Sequence, residues 1–167
     1  MQQYDFRRGG KKCSVSEQPL KPGDVYISAL IELDDGQLSR VDFAEENWDS
    51  DTECVGFWRQ QVPNLDTGKV YWAPPSVQLA YFKHQLEKKN HDLAFVMSLL
   101  MVQKRILYLK DRVDTEEGQV SILLDRRTGD TFEVPERDID QGRVERIQNE
   151  LAEHLFSNLP IPSENES

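Results

Sequence analysis

The stretch Val25-Tyr26-Ile27-Ser28-Ala29-Leu30-Ile31-Glu32-Leu33-Asp34-Asp35-Gly36-Gln37-Leu38-Ser39-Arg40-Val41-Asp42-Phe43 decides the fold class. Two apolar runs, Val25 to Ile31 and Leu38 to Phe43, flank Asp34-Asp35-Gly36-Gln37, and an Asp-Gly turn between such runs is a strong hairpin signal. The chain therefore opens its folded part with a β-hairpin. Upstream, Pro19, Pro22 and Gly23 punctuate an extended or looped approach.

Downstream, from about Ala44 to Pro74, the periodicity is lost. This segment holds Glu45, Glu46, Asp49, Asp51 and Glu53 together with Trp48, Phe57, Trp58, Tyr71 and Trp72. So long an irregular stretch is usually functional or partly helical, and a short helix between Glu53 and Gln61, ended by Pro63-Asn64, would reduce the anomaly. Pro74-Pro75-Ser76 then introduces Val77, Leu79, Phe82 and Leu86 at helical spacing, and Lys88-Lys89-Asn90 suits a helix end. Asp92 is placed to cap a second helix, apolar on nearly every side from Leu93 to Val102 and hence central.

Ile106 to Val113, Val120 to Leu124 and Thr131 to Val134 read as three strands joined by turns at Glu117-Gly118 and Thr128-Gly129. Beyond Pro135, the residues Val144, Ile147, Leu151 and Leu155 mark one face of an amphipathic helix that Pro160 ends. The order ββ, irregular segment, αα, βββ, α is that of an antiparallel α+β fold rather than a doubly wound sheet. Its expected form is an antiparallel sheet from the N-terminal hairpin and the three-strand meander, packed with two central helices and the C-terminal amphipathic helix. A basic arm and Cys13 loop (1–24) would precede a single domain (25–159), and a disordered polar tail (160–167) would follow.

Composition narrows the classes of function. The 167 residues carry a formal net charge of −10, which opposes general binding to phosphate backbones. Residues 1–24 hold five basic and three acidic side chains, whereas residues 32–66 hold two and ten. The acidity is thus concentrated early. The N-terminus has no apolar stretch after its basic residues, and no apolar run approaches the roughly 20 residues of a membrane-spanning helix. The expectation is a cytoplasmic chain without membrane contact, whose Cys13 and Cys54 are reduced thiols.

Among residues that could carry chemistry, Cys13-Ser14-Val15-Ser16 has the spacing of half a zinc-ribbon knuckle, with serine where the second cysteine would stand. One thiolate does not supply the four ligands zinc requires. Cys13 is therefore a weak metal candidate, and no cofactor is predicted. Arg7, Arg8, Lys11 and Lys12, separated by Gly9-Gly10, form a basic arm able to grip phosphate, although a solvated tail is the plainer reading. Asp34-Asp35, Glu45-Glu46, Glu116-Glu117 and the set Asp125, Asp130 and Glu133 read as solvated charge; the last lacks the lysine of a metal-nuclease pattern, which Pro135 replaces.

No Gly-x-Ser-x-Gly elbow, His-Glu-x-x-His pair or Gly-x-Gly-x-x-Gly loop occurs, so no catalytic residue is assigned. The scattered His84, His91 and His154 read as surface groups. Trp48, Trp58 and Trp72 all fall in the irregular acidic segment. They either anchor that segment, the preferred reading, or line a groove with an aromatic floor and acidic rim for a basic peptide or protein.

The string Cys13-Ser14-Val15-Ser16 to Pro22-Gly23-Asp24-Val25-Tyr26, with Gly56-Phe57-Trp58, Val62-Pro63 and the Leu99 to Leu109 run, resembles an uncharacterised family of acidic bacterial proteins found among planctomycetes. The resemblance implies a bacterial cytoplasm and carries no activity, cofactor or catalytic residue. Three functions stay open: a non-enzymatic module that binds a protein partner or self-associates, an enzyme with a carboxylate or metal site, and a nucleic-acid- or ribosome-associated factor using the basic arm.

Overall fold

The computed structural model describes residues 13–63, 71–157 and 159–160. The class is α+β with antiparallel sheets, as expected, but the hairpin and the meander lie in separate sheets. The chain divides into two compact units, Met1–Ala80 with Glu150–Ser167 and the intervening Tyr81–Asn149.

The first unit is built on the hairpin of β1 (Val25–Glu32) and β2 (Leu38–Ala44). Its turn is closed by Leu33 and Gln37 through their backbones, by the Gly36 N–H on Leu33 O and by the Gln37 N–H on Asp35 Oδ1. Gly36 sits at φ 86°, a conformation that glycine reaches without the Cβ clash of other residues. Five consecutive residues of β1, Tyr26 to Leu30, are buried. β1 is an inner strand of its sheet, with a neighbour on each edge. The second neighbour is β3 (Gly56–Gln61), antiparallel to β1 with Ser28 opposite Trp58.

That strand corrects the helix expected between Glu53 and Gln61. Period 2 governs the segment: Trp58 and Gln60 are buried while Phe57 is exposed and Arg59 and Gln61 are half-buried. The same sheet gains a fourth strand from the C-terminal end. β4 (Tyr71–Trp72) pairs with β8 (Phe156–Ser157), and β9 (Leu159–Pro160) pairs with Gln60 and Gln61, giving the order β2-β1-β3-β9. Pro160, expected to begin a tail, thus belongs to a sheet edge, where a missing N–H is tolerated. Residues 161–167 lie outside the described residues.

The second unit contains the end of α1 (Pro75–Glu87), α2 (His91–Gln103), the meander β5 (Tyr108–Thr115), β6 (Gly118–Leu124) and β7 (Thr131–Pro135), and the start of α3 (Gln141–Leu155). The meander follows the expected order β5-β6-β7. Helix α2 packs on β7, and Phe82 meets Phe132 edge-on at 5.6 Å.

Three expectations fail here. Asn90, not Asp92, is the N-cap of α2 and makes no side-chain cap; Asp92 instead accepts from Arg137 (2.8 Å) and lies 3.4 Å from Arg143 Nε. His84 is buried rather than superficial, because α1 is covered round most of its circumference at Tyr81, Phe82, His84 and Gln85. Leu99, in the helix expected to be central, is 54% exposed.

Candidate functional site: an outer aromatic face and an inner polar network

Phe57 and Trp58 are neighbours on β3, so their side chains leave the sheet on opposite faces. On the outer face, the Phe43 ring lies 5.1 Å from Trp48, and Trp48 lies 5.1 Å from Phe57, both pairs tilted. Trp48 follows directly on the 3-10 turn Glu45–Asn47, which swings it back over the sheet. Phe43 and Trp48 are half-buried, whereas Phe57 is 46% exposed. Beside the trio, Arg59 pairs with Glu45. Glu45 also lines a groove of about 230 Å³ with Leu20, Gly23, Asp24, Ala44 and Glu46. The Arg59–Glu45 pair thus links the strand that carries Phe57 to a groove with three carboxylates, one of them already paired.

The inner face is polar at its centre. Arg40 on β2 and Asp42 two residues on point the same way, with Arg40 Nε 3.5 Å from Asp42 Oδ1 and side-chain exposures of 5% and 10%. The Ser28 hydroxyl donates to Asp42 and accepts from Arg40 Nη2 at 3.1 Å and from Gln60 Nε2. Gln60 Oε1 accepts from the Ser157 hydroxyl at 2.9 Å, which accepts from Trp58 Nε1 at 3.1 Å. Arg40 Nη1 donates to the carbonyl of Phe156, and its guanidinium carbon lies 5.0 Å from the Trp58 ring centroid. Ser28, Trp58, Gln60 and Ser157 are all buried. Burial pushes His154 below the ordinary imidazole value; Glu153 opposes that and the Arg40 charge adds to it.

The three tryptophans are therefore not one surface. Trp48 belongs to the outer trio, Trp58 to the inner network, and Trp72 on β4 meets Phe156 edge-on at 4.6 Å. Trp58 is buried, whereas Trp72 and Trp48 are half-buried. Phe57 stands among the segment's aromatics and Phe43 at the end of the second hairpin run, but neither they nor Arg59 are read as site residues from the sequence, because the hydropathy of Gly56 to Gln61 does not alternate. Arg7, Arg8, Lys11 and Lys12 lie outside the described residues.

Cys13 sits in a small apolar cluster with Leu20, Tyr26, Ala44 and Val62. Its loop is knuckle-like: the Glu17 N–H donates to Cys13 O at 2.8 Å, and Glu17 takes φ 59°. Burial raises the thiol pKa, but donors from Ser16, Ala44 and Val15 outweigh it and bring it from 9.0 down to about 6. Asn47 Nδ2 adds a donor 3.4 Å from Sγ. Ser16 stands where a knuckle would place a second thiolate, and among the described residues no three His, Cys, Asp or Glu side chains converge to hold a metal. Cys54 is a second free thiol, half-buried, its pKa raised by burial.

The fold and the outer face thus define an antiparallel α+β protein with a displayed aromatic cluster beside an acidic groove. No protein-family model, curated protein or solved structure matches the chain. Among the described residues no helix is long and apolar enough to cross a membrane.

Proposed function

We propose that the protein is a non-enzymatic binding module whose outer sheet face takes a protein partner presenting a short apolar segment flanked by lysine or arginine. The observation that carries this reading is Phe57, held at 46% exposure by contact with Trp48 while the rest of its strand is half-buried or buried. Aromatic side chains supply large contact area at low entropic cost. The carboxylates of Asp24 and Glu46 along the groove that Glu45 also lines favour a cationic flank and disfavour an acidic one. The bacterial cytoplasmic setting rests on the family resemblance.

The test is selection from a linear peptide library displayed against the full chain and counter-selected against Phe57→Ala. Because Phe57 is exposed, the substitution should lower stability by less than about 1 kcal/mol, which urea unfolding checks. Enrichment of basic-flanked apolar sequences that lose at least tenfold in affinity for Phe57→Ala supports the assignment. Peptides that bind both proteins equally, or no enrichment, overturn it.

A further inference from the structure

Independently of the outer face, we infer that the C-terminal strand β8 is a keyed strap, held to the first unit by the inner polar network and able to open as one piece while the hairpin stays formed. The inference starts from the direction of the hydrogen bonds. Ionised Asp42 can only accept, which orients the Ser28 hydroxyl toward it and leaves the Ser28 oxygen to accept from Arg40 and Gln60. Gln60 then has its amide nitrogen engaged and turns its oxygen to Ser157, and the Ser157 hydroxyl, used as donor, is left to accept from Trp58. Trp58 to Ser157 to Gln60 to Ser28 to Asp42 is one chain with one sense.

The strap supplies two members of the network. The Phe156 carbonyl accepts from the buried Arg40, and Ser157 both closes the chain at Gln60 and accepts the indole N–H of Trp58. A segment that presented no hydroxyl at position 157 would leave the indole N–H without its acceptor inside the protein, which costs more than the bond itself contributes. Its backbone ladders are short: two residues to β4, the Ala73 N–H on Leu155 O, and two residues of β9 on the edge of β3, with the Phe156 ring edge-on to Trp72. The β1–β2 ladder, by contrast, pairs seven residues. Short ladders make a segment a candidate for local opening, and the buried side-chain network is then what holds it shut. Its opening frees the β3 edge at Gln60 and Gln61 and uncovers the Arg40–Asp42 pair.

Amide hydrogen exchange on the full chain tests this. Ser157→Ala should speed exchange at Ala73, Phe156 and Ser157 by about tenfold or more, with Ile27 and Ala29 in β1 changed less than about twofold. Trp58→Phe keeps an aromatic ring in the core and deletes the N–H, and should give the same confined pattern if Ser157→Ala does not fold. Parallel acceleration at all these amides in a folded variant would show that the network is common core and that no separate strap exists. Unchanged exchange at Ala73 in both variants would show that Ser157 is not its key.

Discussion

At Cys13 the thiol has two opposing influences on it, and the balance can be measured. Burial disfavours the thiolate, yet donors converging from Ser16, Ala44 and Val15 bring its pKa down to about 6. A group whose pKa is depressed by folding contributes stability that is fully present above its unfolded pKa and lost as pH falls through its folded one. The stability difference between the wild type and Cys13→Ser should therefore widen as pH rises from 6 to 9, followed by urea unfolding at each pH. A difference independent of pH would show that Cys13 acts only by packing. The Arg40–Asp42 pair makes the complementary case. Removing one partner of a buried pair leaves an uncompensated charge, so Asp42→Ala should cost about 3–5 kcal/mol. A loss below about 1 kcal/mol would mean that Arg40 reaches water in the variant.

At the scale of elements, the β1–β2 hairpin depends on its turn. Gly36→Ala places a Cβ at φ 86° and should lower the unfolding free energy by about 1–2 kcal/mol without altering the strands, as thermal unfolding and circular dichroism would show. The hairpin, the meander and all three helices were legible because each carries its own period or turn chemistry within about ten residues. β3 was not, since Gly56 and the polar Arg59, Gln60 and Gln61 obscure its alternation, and Gln60 is buried through a hydrogen bond with a residue 97 positions away. β8 and β9 are two residues each and exist only because a distant strand receives them. The burial of His84 has the same origin, for tertiary contact decides it. Of the candidate site, Trp48 and the acidic rim could be read in advance; the outward turn of Phe57 required knowing that β3 is a strand.

For the whole molecule, charge is the dominant sequence-level quantity. A net charge of −10, with Asp34, Asp35, Glu45, Glu46, Asp49, Asp51 and Glu53 all in the first unit, means that self-repulsion opposes compaction. Screening it by raising sodium chloride from about 10 to about 300 mM should raise the midpoint of thermal unfolding. A falling midpoint would show that ion pairs such as Arg137–Asp92 outweigh the repulsion.

The return of β8 to the first unit also has a temporal meaning. Arg40 and Phe156 are 116 residues apart in sequence, and Trp58 and Ser157 are 99 apart. On a ribosome adding roughly 5–20 residues each second, the hairpin and β3 emerge first and then wait while the whole second unit is synthesised. Through that interval Arg40, Asp42 and Trp58 have no strap to meet, and the long loop must be closed, at an entropic cost that grows slowly with its length, before their contacts form. The nascent chain must pass through a stage in which the first half of its sequence is finished as polymer and unfinished as structure.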